Sequence, residues 1–396
     1  TRQYRITEYC QGCLAQSCRQ VCPKDAIRYV NGKCYIRQEQ CVKCGKCAEA
    51  CPYNAIVEIE RPCRRSCPVK AINMDENDIA TIDPAKCVNC GACVVGCPFG
   101  AISDVSMMTN VIEALKDGKK EVVALIAPAI EGLFVSDPIP QIKEAIRQLG
   151  FADVYEVALG ADIVAYHEAA ELTERKEKGE KMTSSCCPAF VNMVRKHFPG
   201  MLPFVSTTVS PMIAAERYIR SQNPDVVTVF IGPCLAKKAE AREEDIKDAV
   251  DFVLTFEEVA GMFDAKGVDW KDIPEGEPLF RASADGRGFA VSGGVAEAVV
   301  HAVKRIDPDR EVKVMNAEGL QNCKKMLQMA KIGKYNGYLL EGMACPGGCV
   351  AGAGTIQTVK KAAAALEKMK KEALFTDAYD SKYRARLESL EKFDVE

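Results

Sequence analysis

Hydrophobic and polar positions follow two regimes that change near residue 104. Beyond it, short apolar runs alternate with stretches whose apolar residues recur every three to four positions, the pattern of strands followed by amphipathic helices. Residues 122–127, 154–158, 226–231, 312–315 and 338–340 read as strands. Residues 142–149, a segment from Gly160, one opened by Pro188 and one from about Thr355 read as helices. Residues 106–117 read as a helix joining the two regimes. Such alternation predicts α/β layers with mainly parallel sheets. Residues 355–396, rich in Ala, Lys and Glu, read as two polar helices.

Composition narrows the function. The chain has 396 residues, room for two or three domains with sizeable cores. Its 52 Lys plus Arg against 55 Asp plus Glu give a net charge of −3, which speaks against a nucleic-acid or membrane-surface partner. Residues 1–8 lack an apolar leader core, and no apolar run reaches the length of a membrane span. We therefore expect a cytosolic, oxygen-poor setting. The 21 cysteines are the anomaly. Their spacing is that of metal ligands rather than of a disulfide framework.

In the first regime, Cys41-Val-Lys-Cys44-Gly-Lys-Cys47-Ala-Glu-Ala-Cys51-Pro52 is repeated as Cys87-Val-Asn-Cys90-Gly-Ala-Cys93-Val-Val-Gly-Cys97-Pro98. Upstream, Cys10, Cys13, Cys18 and Cys22-Pro23 form a stretched version. Each Cys-Pro is followed, after two intervening residues, by Ala-Ile: Ala26-Ile27, Ala55-Ile56, Ala71-Ile72 and Ala101-Ile102. This is the bacterial ferredoxin run, duplicated in a ferredoxin-like fold. Zinc modules do not repeat such Cys-Pro endings. In two-cluster ferredoxins the fourth cysteine crosses to the other cluster. That rule assigns one cubane to Cys10, Cys13, Cys18 and Cys51, and a second to Cys41, Cys44, Cys47 and Cys22. Cys87, Cys90, Cys93 and Cys67 make a third. Cys63 and Cys97 lack two partners, because Val57 and Glu60 occupy the first two positions of their run. We read them as vestigial, the alternative being a fourth cluster with an unusual ligand. Cys34 reads as a small buried apolar residue.

In the second regime, cysteines fall where strands end, the place at which open α/β sheets bind ligands. Glu341-Gly-Met-Ala-Cys345-Pro-Gly-Gly-Cys349 follows the strand at 338–340, and Gly-Pro233-Cys234-Leu-Ala-Lys237-Lys238 follows that at 226–231. Thr183-Ser-Ser-Cys186-Cys187-Pro188-Ala-Phe190 opens a helix. Adjacent side chains diverge, so one of Cys186 and Cys187 can ligate while the other points elsewhere. Cys187, Cys234, Cys345 and Cys349 then complete a tetrathiolate set. Cys323 reads as packing.

These loops, in this order, resemble the signature loops of the iron-only, or [FeFe], hydrogenases, and the resemblance covers roughly residues 1–370. It implies the following domains: 1–57, a two-cluster ferredoxin-like module; 58–104, a second module with one complete cluster; 105–120, a linker helix; 121–370, the catalytic domain; 371–396, a polar helical tail. It implies a six-iron H-cluster, a [4Fe-4S] cubane plus a di-iron unit bearing carbonyl, cyanide and a bridging dithiolate amine, hung by position from Cys349. Lys237 is similar to the lysine that bonds a cyanide, whereas Lys238 reads as solvated. Met343, Pro128, Ala129, Pro233, Gly293 and Gly294 resemble pocket-lining positions. Cys186 resembles the proton-relaying thiol, and Glu168, Glu171, Arg175 and Ser206 match the family's proton path. Glu168, Glu171 and Arg175 are also spaced for one helix face, where an exposed ion pair would be the plain reading. His167 and His197 match no ligand position.

Three positions depart from the familiar pattern: Ala129 for a serine, Gly232 for a methionine and Met212 for a glutamine. The resemblance implies reversible interconversion of hydrogen with protons and electrons, with a ferredoxin-type carrier and H-cluster assembly proteins as partners. A low-turnover hydrogen sensor, or a hydrogenase-like iron–sulfur protein without a di-iron site, are the alternatives.

Overall fold

The computed structural model describes residues 2–134, 139–244, 246, 249–269, 272–274 and 282–380. The chain divides into two compact units, a small one of Thr1–Pro84 and Ala92–Ile102, and a large one of Ala85–Gly91 and Ser103–Glu396.

In the small unit, β1 (Gln3–Ile6) pairs antiparallel with β4 (Ile56–Ile59). Two hairpins complete it: β2 (Ile27–Val30) with β3 (Lys33–Ile36), and β5 (Ile72–Met74) with β6 (Ala80–Ile82). The repeated Ala-Ile explains the architecture. Ala26, Ala55 and Ala71 are each 1% exposed, and the isoleucine after each opens a strand and is buried. The small alanine lets the Cys-Pro turn close on the sheet, while the isoleucine fills the core. The fourth copy, Ala101-Ile102, opens no strand, and Ala101 is exposed.

The large unit carries two wholly parallel sheets. One has the order β11 (Phe252–Thr255), β10 (Val227–Gly232), β7 (Val122–Ile126), β8 (Asp153–Glu156). The other runs β12 (Lys313–Glu318), β13 (Tyr338–Met343), β9 (Met182–Thr183). Parallel strands buried on both faces read as unbroken apolar runs, and all five residues of β7 are buried. The fold is thus the expected one, ferredoxin-like modules and an α/β unit with parallel sheets.

Local readings shift in three places. The helix expected from Gly160 spans Ala158–Glu177. Gly160 is not its start but a contact point: a Cβ there would stand 2.1 Å from the Pro211 carbonyl oxygen, so glycine lets the Pro211–Gln222 helix approach. The helix expected from about Thr355 begins at Val359. The Gly354 N–H donates to the Pro233 carbonyl at 2.8 Å and holds the chain out of helix until Thr358. That helix, Val359–Lys371, is not polar all round, since Ala362, Leu366 and Met369 join the main core. Of the tail, Glu372–Asp380 forms no helix, and 381–396 lie outside the described residues.

Candidate metal centres and catalytic pocket

Strand ends and helix starts deliver the cysteines of the large unit to one place. Cys187 is the N-cap of the Pro188–His197 helix, Cys234 follows β10, Cys345 follows β13, and Cys349 opens a single 3-10 turn. Two close approaches lock the loops together. A Cβ at Gly342 would meet the Phe190 ring at 2.3 Å, and one at Gly352 would meet the Pro233 carbonyl oxygen at 2.4 Å. The Phe190 that follows the cysteine pair is therefore packed over the strand leading to Cys345.

The loops enclose a cavity of about 90 Å³ lined by Cys186, Cys187, Cys234, Cys345, Cys349 and Lys237. Its remaining walls are mostly apolar, including Pro128, Ala129, Pro233, Met212 and Met343. Burial pushes the Cys234 thiol up to about 11 and the Cys349 thiol up to about 12, so protein alone gives their anions little support. Among the described residues, no group of three or more His, Cys, Asp or Glu stands close enough to hold one metal ion. A cubane asks for something else, one thiolate on each of four irons. Four converging thiols in an apolar chamber fit that donor chemistry, and the single lysine fits an anionic ligand beside it.

Lys237 is buried, with its ammonium 2.6 Å from Glu240. Burial alone would depress its pKa, but the Glu240 carboxylate outweighs that and raises it, so the cation persists. Cys90 lines the same cavity. The departures have physical counterparts. Ala129 and Met212 present apolar side chains to the wall, and a Cβ at Gly232 would meet the Phe230 ring at 2.5 Å. Phe230 takes the space a methionine would need.

Gly293 and Gly294 do not line the cavity; they form the start of the Gly294–Ile306 helix. Gly293, at φ 93°, donates its N–H to Glu341 at 2.6 Å, and Ala296 donates to the same buried carboxylate at 2.8 Å. A carboxylate borrowed from β13 thus caps this helix and fixes it to the strand that carries Cys345. No local sequence signal marks Glu341, whose partners lie 48 and 45 residues away. Glu240, three residues after Lys237, was legible in principle from helix spacing.

The carboxylate pair is not a solvated face. Glu168 is fully buried and accepts hydrogen bonds from the Ser185 N–H at 3.2 Å and the Ser185 hydroxyl at 3.3 Å. Burial pushes its carboxyl up to about 7, aided by Glu171 and opposed by Ser185 and Ser206. Ser206 donates to Glu171 at 2.7 Å, and Arg175 sits 2.6 Å from the other Glu171 oxygen. Cys186 is buried, and burial followed by the Glu168 charge holds its thiol well above the ordinary value. Lys238 is also not solvated. It is 5% exposed, paired with Asp104 and lying 2.8 Å from Glu258. Of the remaining groups, Cys323 is buried in the Leu320–Lys331 helix, and His197 Nε2 lies 2.9 Å from the Lys86 carbonyl.

In the small unit, Cys22, Cys41, Cys44 and Cys47 line one cavity of about 20 Å³ together with Tyr4. That is the second quartet assigned by the crossover rule. Cys18 is raised first by burial, with Cys51 and Cys10 close enough to add to it. Backbone N–H groups donate to two of the cysteine sulfurs, Ala26 to Cys22 and Ala71 to Cys67, each at 3.2 Å. Cys97 receives the same treatment from Phe99 and Ala101, which lower its pKa, while Cys63 is buried. Cys87 and Cys90 belong to the large unit, and Cys67 and Cys93 to the small one.

Similarity to known proteins agrees with this geometry. Residues 120–353 match the C-terminal domain of the iron only hydrogenase large subunit, 34–57 a 4Fe-4S binding domain, and 57–108 the LdpA Fe-S cluster-binding domain. The periplasmic [Fe] hydrogenase large subunit of Nitratidesulfovibrio vulgaris is 31% identical over 303 residues, 63% of this chain and 72% of that one. Iron hydrogenase 1 of Clostridium pasteurianum is 29% identical over 394 residues, 86% of this chain and 68% of that one. A probable cytosolic Fe-S cluster assembly factor of Aedes aegypti is 27% identical over 282 residues, 57% of this chain and 59% of that one. A solved [FeFe]-hydrogenase structure shares the fold with a TM-score of 0.61 at 23% identity, covering 72% of this chain and 95% of that one. Among the described residues no helix is long and apolar enough to cross a membrane. Because that hydrogenase domain match, residues 120–353, takes in more than half of the chain, the chain belongs to the iron-only hydrogenase large-subunit family.

Proposed function

We propose that the chain catalyses reversible hydrogen oxidation and proton reduction at a six-iron H-cluster in the 90 Å³ cavity. The observation that carries this reading is the company kept there: the thiols of Cys187, Cys234, Cys345 and Cys349, the buried Cys186 thiol outside that quartet, and one buried cation, Lys237. Cys187, Cys234, Cys345 and Cys349 hold the cubane, and Met343, Pro128, Ala129 and Pro233 wall the di-iron half. When bound, the cofactor supplies the redox chemistry and the site at which hydrogen is split or formed. Everything else falls to the chain's own side chains.

Lys237 offers its ammonium to an anionic cofactor ligand, and Glu240 holds that ammonium in place. Protons enter near Arg175, which orients Glu171. They pass through the Ser206 hydroxyl to Glu168 and then to the Cys186 Sγ, the last group before the cofactor. Glu168 suits the step because a carboxyl poised near about 7 both gives and takes a proton at neutral pH. The apolar wall excludes water, so protons come by this file of side chains. Electrons travel through three [4Fe-4S] clusters, on Cys10, Cys13, Cys18 and Cys51; Cys22, Cys41, Cys44 and Cys47; and Cys67, Cys87, Cys90 and Cys93. A ferredoxin-type carrier in the cytosol is the external partner, and H-cluster assembly proteins supply the cofactor.

A second reading has its own support, the likeness to the Aedes aegypti assembly factor. In that case the chain holds cubanes alone. Hydrogen evolution from a chemically reduced dye by the chain, after co-expression with the assembly proteins, separates the two. Turnover above that of a Cys349→Ala variant supports the enzyme; equal, negligible rates support the assembly-type protein.

A further inference from the structure

Cys34 belongs to none of the ligand quartets, yet two contacts aim it at sulfurs that do. It sits in β3 and is 7% exposed. Its backbone N–H donates to the Cys10 Sγ at 3.5 Å, and its own Sγ lies 4.0 Å from the Cys18 Sγ. Once Cys10 and Cys18 are thiolate ligands, neither has a proton to offer. Cys34 is then the donor in both contacts. Other ligand sulfurs of the small unit receive backbone N–H groups: Cys22 from Ala26 at 3.2 Å and Cys41 from Lys43 at 3.4 Å. Cys18 has, in addition, a buried thiol.

Hydrogen bonds to ligand sulfurs draw charge from a cluster and favour its reduced, more negative state. Burial strengthens the effect, because no water competes for the sulfur. We propose that Cys34 is a positioning and tuning residue whose S–H raises the reduction potential of the cluster on Cys10, Cys13, Cys18 and Cys51. The proposal rests on the reading that this quartet binds a cubane. Its consequence is functional: Cys34 adjusts how readily an electron rests on that cluster on its way through the small unit. A space-filling cysteine would make no demand on its proton.

The test is a redox titration of the iron-loaded chain followed by electron paramagnetic resonance, comparing the parent with Cys34→Ala and Cys34→Ser. Cys34→Ala removes the side-chain donor, and Cys34→Ser replaces it with a hydroxyl. At the solution potential that half-reduces this cluster in the parent, Cys34→Ala should lower its reduced-to-oxidised ratio about fivefold, the worth of one modest hydrogen bond. Cys34→Ser should recover most of that, with iron content equal in all three and the other clusters unmoved. An unchanged titration in Cys34→Ala overturns the proposal, as does a Cys34→Ser that tracks Cys34→Ala, since packing is then the cause. Loss of iron in Cys34→Ala also overturns it, by making Cys34 a ligand. Cys18→Ala separates the underlying reading: if it keeps the parent's iron and every cluster signal, this quartet holds no cubane.

Discussion

Ser206 donates its hydroxyl to one oxygen of Glu171 at 2.7 Å, while Arg175 approaches the other at 2.6 Å. The pair is more than a surface ion pair. It aims a partly buried carboxylate at the serine that also steadies Glu168, in the fully buried interior. Glu171→Gln keeps size and helix but deletes the exchangeable proton. Hydrogen turnover should fall about a hundredfold with the cofactor's infrared bands in place. Unchanged turnover would return Glu171 to a structural role.

Glu168 predicts a pH dependence. Its carboxyl is raised to about 7 by burial, so it holds a proton below neutrality and loses it above. Inward delivery needs the protonated form, whose fraction falls about tenfold for each pH unit above that value. Hydrogen evolution limited by this step should therefore decline as pH rises through about 7. Glu168→Gln should lower the rate and remove that limb. A Glu168→Gln profile parallel to the parent's would assign the limb to another group.

The adjacent cysteines should separate cleanly. On the proposed ligand set, Cys187→Ala should cut iron content along with activity. If Cys186 carries protons as proposed, Cys186→Ala should leave iron at the parent's level while turnover falls at least about a hundredfold. Cys186→Asp, ionisable but differently shaped, should restore part of the rate.

Lys238 offers a test of the fold. Its buried ammonium serves Asp104 and Glu258, and Glu258 also completes the capping box at Thr255. Lys238→Met leaves these carboxylates without their cation and should destabilise the large unit by about 3–5 kcal/mol. Thermal unfolding followed by circular dichroism would show the lowered midpoint. A midpoint within a degree of the parent's would mean that Asp104 and Glu258 find other partners.

What could be read in advance was whatever the chain writes locally. The cysteine spacings, the Ala-Ile repeats and the apolar runs that become β7, β10 and β13 each signal through neighbours within a dozen residues. Lys238 defies its solvated reading because Asp104 and Glu258 lie 134 and 20 residues away, and nothing near it announces burial. Glu341 is silent in the sequence for the same reason. Gly160 misleads because a glycine near a helix start resembles a boundary, whereas its cause is a second helix meeting it through Pro211. Cys34 was legible as buried, but its two sulfur neighbours emerge only when β3 folds against the Cys10 and Cys18 loops.

Cluster number has a direct count. Three cubanes and a six-iron cofactor require about 18 irons per chain, against about 22 if Cys63 and Cys97 anchor a fourth cubane. Backbone N–H groups of Phe99 and Ala101 lower the pKa of the Cys97 thiol, and the probe of a fourth site is Cys63→Ala. It should leave iron content and the paramagnetic signals of the reduced clusters unchanged. Loss of about four irons would establish the fourth site.

On the proposed function, the cavity framed by Cys187, Cys234, Cys345 and Cys349 holds a di-iron unit beside its cubane. Infrared spectroscopy of the chain, purified without oxygen after co-expression with the H-cluster assembly proteins, decides whether it does. Bands of iron-bound carbonyl and cyanide should appear, with the cyanide bands shifted by Lys237→Met and all of them lost in Cys349→Ala. A chain loaded with cubanes but showing no such bands would contradict it.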